Sequence, residues 1–175
     1  MPGSYSPSTI ERIGDINNGL LVQTSKEVSY ATWGVAQTEL FTVYNRIRIL
    51  GLWGEVGATT LVGATALILF NWTSTTPVIA VQPISAVCTT IHGFVRGRRF
   101  SLVGNGLTAL SVVGTAGISV DMITSMVVGV APSATVDPSV STIGCLTSVA
   151  VLTAGTAQFS ILYTPIDAGA YVAAV

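Results

Sequence analysis

The fold is decided by residues 39–56, which read "ELFTVYNRIRILGLWGEV". Apolar side chains alternate with other residues along this stretch, so Ile47 and Ile49 point to one side of an extended chain while Arg46 and Arg48 point to the other. A period of two residues is typical of strands with one buried face. The stretch therefore predicts two half-buried β-strands.

Further strand-like runs follow, separated by Gly, Pro and Ser. They read "TALILFNW", "TPVIAVQPI", "AVCTTIHGFV", "RRFSLVG", "LTALSVVG" and "AQFSILYTP". The "GNG" at residues 104–106 predicts the turn of a hairpin, whereas "GISVDMITSMVVGV" is compatible with a strand or a short helix. Short strands with regular turns and no convincing helical period predict an all-β protein, an antiparallel β-sandwich with a jelly-roll-like path.

Residues 1–37 differ from the rest of the chain, because Pro, Gly, Ser and Asn are frequent there. These residues oppose regular structure, so we expect an extended N-terminal arm followed by a sandwich domain over residues 38–175. Tyr30 and Trp33 lie in the predicted arm and need an apolar surface, either on their own domain or on a neighbour.

Charge is scarce: 50% of the 175 residues are hydrophobic and 9% are charged, and no Lys or Arg follows Arg99. A surface so poor in charge is normally covered by lipid, a second subunit or another protein. The most apolar windows are shorter than about 20 residues or interrupted by polar ones, and they are rich in Val and Thr rather than Leu. Together with an N-terminus that lacks an export signal, this predicts burial in protein contacts and not in a membrane.

Catalytic patterns are missing from the sequence. The single histidine, His92, has no nucleophile elbow or neighbouring carboxylate, and the acidic residues are scattered. Cys88 and Cys145 have neither CxxC spacing nor a histidine cluster, and whether they pair with each other is left open. We therefore expect no enzyme activity, no catalytic residue, no cofactor and no metal.

Residues 96–99, "RGRR", form the one cluster of charge. Guanidinium groups bind phosphate, but the net charge of −1 argues against nucleic acid. A solvated turn or an ion pair with an acidic partner explains the cluster better. The residues that we expect to contact partner proteins are Tyr30, Trp33, Arg46, Arg48, Arg96, Arg98, Arg99 and Tyr171.

Three stretches of the chain resemble small virion structural proteins of tailed bacteriophages. They are "LFTVYNRIRILGLWGEVGA", "AVCTTIHGFV" and "LYTPIDAGAYVAAV". The likeness runs in patches over residues 39–175 and excludes the predicted arm. It departs from the family pattern at "YNR", where a Gly-Gly turn is usual, and at Ala168, where a second acid is usual.

The resemblance implies a structural role in the phage particle. In that family the expected role is capsid decoration or cementing, by a β-rich homo-oligomer, a trimer, that is made in the host cytoplasm and binds the major capsid protein on the outer surface of the shell. A tail, neck or fibre component is the alternative. Hundreds of copies per particle would indicate the head, and a few dozen or fewer would indicate the tail or a vertex.

Overall fold

The computed structural model describes residues 21–29, 37–63, 67–86, 91, 93–102, 111–113, 126–148 and 152–175. All regular structure in these ranges is β-strand, which confirms the all-β prediction. The strands are β1 (Val22–Ser29), β2 (Thr38–Tyr44), β3 (Ile47–Val56), β4 (Leu67–Thr76), β5 (Val78–Pro83), β6 (Arg99–Ser101), β7 (Ser111–Val113), β8 (Met126–Val128), β9 (Val140–Ser148), β10 (Thr156–Pro165) and β11 (Tyr171–Ala174).

The strands form two antiparallel sheets. The first sheet has the order β1-β10-β3-β6-β7, and β8 pairs with the first residues of β3, which β6 does not cover. The second sheet has the order β11-β2-β9-β4-β5. Pairing is antiparallel throughout the described ladders, including those of β3 with β10 and of β4 with β9. The predicted antiparallel β-sandwich is therefore confirmed, whereas the jelly-roll path stays a prediction.

The core lies between the two sheets. Phe70 of β4 meets Phe159 of β10 edge to face, with ring centroids 6.0 Å apart, and Phe159 meets Phe100 of β6 at 5.8 Å. Such perpendicular contacts add to the free energy gained by burying the rings. Ile47 and Ile49 are fully buried, because the alternation of β3 turns them toward this core as the sequence predicts.

β1 lies inside the region for which the sequence predicts an arm. It pairs along its whole length with β10, from Val22 opposite Tyr163 to Ser29 opposite Thr156. Its side chains alternate between partly buried and exposed, ending at the buried Val28. The period of two residues is present, but Thr24 and Lys26 occupy two of the four inward positions, so hydrophobicity alone does not reveal it. Residues 1–20 and 30–36, with Tyr30 and Trp33, lie outside the described residues.

The C-terminal residues also form a strand. The sequence predicts that they are laid against another surface, and the structure shows that this surface is β2 of the same chain, with Tyr171 opposite Tyr44 and Ala174 opposite Phe41. Pro165 is the last residue of β10. Gly169 has a φ of 73° in the following turn, a conformation that glycine adopts at little cost.

Two further predictions concern the middle of the chain. β6 and β7 pair as the two arms of the predicted hairpin, while the "GNG" turn itself lies outside the described residues. Met126–Val128 is a strand, β8, so the strand alternative holds for that part of the open segment. No helix in the described ranges is long and apolar enough to cross a membrane.

Candidate partner-binding surfaces

Two of the stretches that carry the resemblance meet in space. The turn between β2 and β3 contacts the turn between β10 and β11, although more than a hundred residues separate them: Ile166 donates its backbone N–H to the Arg46 carbonyl at 3.0 Å. We call Tyr44, Asn45, Arg46, Asp167 and Tyr171 the hairpin-tail cluster. It brings together two of the predicted contact residues, Arg46 and Tyr171.

Arg46 and Asp167 form the polar centre of the hairpin-tail cluster. The guanidinium donates to both carboxylate oxygens, Nη2 to Oδ1 at 2.7 Å and Nε to Oδ2 at 3.0 Å, and the Arg46 backbone N–H adds a bond to Oδ2 at 3.0 Å. The hydrogen bonds from Arg46 hold the pKa of Asp167 below its ordinary value. The hydrogen bond to Asp167 in turn raises the pKa of Arg46. Two-point pairing fixes the orientation of both groups. The pair therefore clamps the tail turn to the β2–β3 turn.

Asn45 allows the chain to turn between β2 and β3. Its φ of 57° lies in the left-handed region, which Asn tolerates better than most residues. The side chain is buried, and its Oδ1 accepts the Ser139 N–H at 2.9 Å. The backbone N–H of Asn45 donates in turn to the Ser139 carbonyl at 3.0 Å. This exchange ties the turn to the start of β9.

Tyr44 and Tyr171 form the exposed side of the hairpin-tail cluster. Their rings stack with centroids 4.3 Å apart and planes 14° from parallel. Tyr171 is 43% exposed. Its pKa is raised, first by partial burial and second by the neighbouring Tyr44. Aromatic groups held rigidly at a surface are favourable contact points, because little side-chain entropy remains to be lost on binding.

Arg46 and Arg48 do not act as the single strand face that the sequence suggests. Arg46 lies in the turn before β3 and is bound to Asp167, whereas Arg48 is exposed on β3 between Thr164 of β10 and Val127 of β8. Tyr44, Asn45 and Asp167 are not among the residues that the sequence predicts to contact partner proteins. What points to them in the sequence is their place in two of the stretches that resemble phage virion proteins.

The arginines of residues 96–99 have three different environments. Arg99 donates from Nε to Glu55 Oε2 at 2.6 Å across the β3–β6 pair. The Arg98 guanidinium lies 4.0 Å from the centroid of the Phe94 ring, a cation–π arrangement, while Arg96 is exposed. Two of the three guanidinium groups are thus engaged within the chain, which matches a structured turn better than a phosphate-binding patch.

An apolar surface that the sequence analysis did not single out lies at the β5 edge of the second sheet. Val78 is 87% exposed and Val81 is 52% exposed, on a strand whose only described partner is β4. A pocket of about 270 Å³ adjoins it, lined by Trp72, Ile84 and the segment from Met126 to Gly129. The alternation of apolar and polar residues does not reveal this surface, because an apolar run such as that of β5 predicts a strand without showing whether the strand is buried or lies at an exposed edge.

The remaining chemistry-bearing residues of the described ranges form no further site. Cys145 is a buried free thiol, and burial raises its pKa, whereas Cys88 and His92 lie outside the described residues. Asn71 begins the sequence Asn-Trp-Thr, which formally matches an N-glycosylation acceptor, but it is 1% exposed and therefore inaccessible in the folded chain. Within the described ranges, no three His, Cys, Asp or Glu side chains are placed to hold a metal ion. The expectation of no cofactor and no enzyme activity stays a prediction.

Comparison with known proteins gives no match: no protein-family model, no curated protein and no solved structure is significantly similar to this chain. The resemblance to phage virion proteins therefore remains an expectation drawn from the sequence stretches themselves.

Proposed function

We propose that this chain is a phage virion structural protein that decorates and stabilises the capsid as a homo-oligomer. The observation that carries the proposal is that two of the virion-like stretches make up one compact unit, the hairpin-tail cluster, through the Arg46–Asp167 pair and the Tyr44–Tyr171 stack. Side chains in these two stretches pack against each other, which is what we expect of a structural protein and not of a catalytic site. The charge-poor composition supports the same role, since assemblies can bury such surfaces.

Stabilisation of a shell by such a protein follows from mass action. A ligand that binds the assembled shell, and not its separated subunits, lowers the free energy of the assembled state. Several weak contacts from one oligomer reinforce one another because, after the first, the others form intramolecularly. An apolar contact of about 1,000 Å² per subunit supplies roughly 25 kcal/mol before the costs of association and ordering are subtracted.

The proposal is tested on purified particles of the phage that encodes this chain. Quantitative mass spectrometry would give its copy number relative to the major capsid protein, and electron microscopy would locate it. We expect hundreds of copies on the outer surface of the head. A few dozen copies or fewer would favour a tail, neck or fibre component, and absence from the particle would overturn both roles.

We also propose that the N-terminal arm, predicted over residues 1–37, grips the shell or an adjacent trimer, and we test this by deleting residues 1–20. This deletion leaves β1 in place, whereas removal of residues 1–37 would also take away the β1–β10 pairing. We expect lower occupancy on particles and lower heat resistance of the shell, with unchanged folding of the isolated protein. Unchanged occupancy and heat resistance would contradict a gripping role for residues 1–20.

A further inference from the structure

The two sides of the sandwich differ in how their sheet edges are protected. On one side, β1 and β11 are the edge strands. The Lys26 ammonium of β1 donates to the Glu39 carbonyl of β2 at 2.9 Å, and Val172 of β11 donates its N–H to the Tyr163 hydroxyl oxygen of β10 at 3.0 Å. These bonds link the two sheets. A lysine on an edge strand also discourages pairing with another chain.

At β5, the opposite edge of the second sheet, the described residues place no charged group and no strand other than β4. Neither β4 nor β5 carries a charged residue, and the whole stretch between Glu55 and Arg96 lacks Asp, Glu, Lys and Arg. Five of the six residues of β5 are exposed. An exposed strand presents N–H and C=O groups along its outer edge, and natural proteins guard such an edge with charge or with proline. Here the prolines, Pro77 and Pro83, stand only at the two ends of β5, and within the strand the Ala80 carbonyl accepts the Gln82 side-chain N–H at 3.3 Å.

The environment of β5 adds apolar area to the open edge. Ile84, the residue that follows β5, lines the pocket together with Trp72 and Met126. The Trp72 indole N–H is buried and finds no acceptor in the described part of the chain. Val127, 51% exposed, borders the pocket from β8 of the first sheet. The open edge of β5 therefore lies next to an uncharged pocket.

We propose that β5 is the contact between two copies of this chain, with the two β5 strands side by side and antiparallel across a two-fold axis. A neutral strand meets its own copy without opposing like charges. A two-fold contact also needs only one self-complementary surface, whereas a charged partner would find no complementary group on β5. The contact adds to any three-fold interface, and it does not depend on the proposed role in the virion.

The test measures the mass of the purified full chain by light scattering, at concentrations up to about 100 µM, where a complex with a Kd near 10 µM is populated. Variants V78K and V81K each add a positive charge to both strands of the proposed contact, so we expect association about a hundredfold weaker or more. Gln23→Lys adds the same charge at an exposed position of β1 and should leave the mass unchanged.

Mixing variants of opposite charge separates pairing from folding. V78K and V78E should each dissociate alone but associate when mixed, with circular dichroism and thermal unfolding like the parent's, because Val78 is 87% exposed. A monomeric parent protein, an unchanged mass for V78K and V81K, or a mixture that stays dissociated would overturn the proposal. Absence of the chain from phage particles would refute the virion role and leave this result untouched.

Discussion

At the scale of single residues, long-range polar contacts fix a turn that no local pattern specifies. Asn45 supplies the left-handed backbone and bonds to Ser139, while Arg46 is held by Asp167. Sequence alternation predicts that Arg46 points away from the core, but it cannot identify a carboxylate partner 121 residues further along. The pairing depends on the tertiary fold because both turns must arrive at the same end of the sandwich.

Replacing Asp167 with Asn should destabilise the protein in a pH-dependent way. A carboxyl group whose pKa is lower in the folded than in the unfolded chain stabilises the fold above its unfolded value, about 3.9, and this contribution is lost as the pH falls through the lowered folded value. We expect D167N to unfold at lower urea than the parent at pH 7, with the gap closing as the pH drops below about 4.

Urea unfolding at several pH values measures this gap, and Glu27→Gln, an exposed change on β1, serves as the control with little effect at any pH. A difference between D167N and the parent that does not change with pH would contradict the ion-pair explanation.

The stacked tyrosines should be energetically coupled. Offset aromatic pairs contribute about 0.5–1.5 kcal/mol beyond their buried area, and Tyr44 and Tyr171 are stacked at 4.3 Å. A double-mutant cycle with Tyr44→Ala and Tyr171→Ala, followed by urea unfolding, should give a coupling energy in this range. Additive single effects would show that the stack contributes nothing to stability.

At the scale of strands, β3 is the element that organises the first sheet. It pairs with β10 over most of its length and with β6 and β8 on its other side. Its glycines are part of this role: Gly54 lies opposite Phe100, and a Cβ at Gly54 would overlap the Phe100 ring. Alternation predicts the strand, but the reason for a glycine there appears only when the facing ring is known.

Gly54→Ala should therefore destabilise the core by about 1–3 kcal/mol, the usual effect of overpacking. The measurement is equilibrium unfolding in urea. Introducing Gly54→Ala into a Phe100→Leu background should have a smaller effect, because the shorter side chain leaves room for the added methyl group. An equal loss in both backgrounds would assign the effect to the backbone of β3 and not to the Phe100 ring.

At the scale of the whole molecule, two sheets enclose a core that reaches from Phe41 of β2 to Phe159 of β10. Cys145 of β9 lies in this core, fully buried. A buried thiol with a raised pKa is poorly ionised, and the thiolate is the reactive form. Its reactivity therefore reports on the opening of the sandwich as a unit.

In a Cys88→Ser background, Cys145 should react with Ellman's reagent only as fast as the sandwich opens. We expect slow labelling without denaturant and acceleration by urea that follows the unfolding transition. Cys88→Ser combined with Cys145→Ser gives the blank. Rapid labelling of Cys145 in the folded protein would contradict its burial in the core.

Local alternation is enough to predict the all-β class, the strands around residues 39–56 and the orientation of Ile47 and Ile49, because a period of two residues is a local property of an extended chain. It does not reveal β1, where Thr24 and Lys26 take inward positions, and it does not predict that the C-terminal residues become β11. The partners of Arg46 and Tyr171 and the exposure of β5 follow from the tertiary fold. Ion pairs and strand edges depend on which distant segments become neighbours, and local alternation contains no information about that.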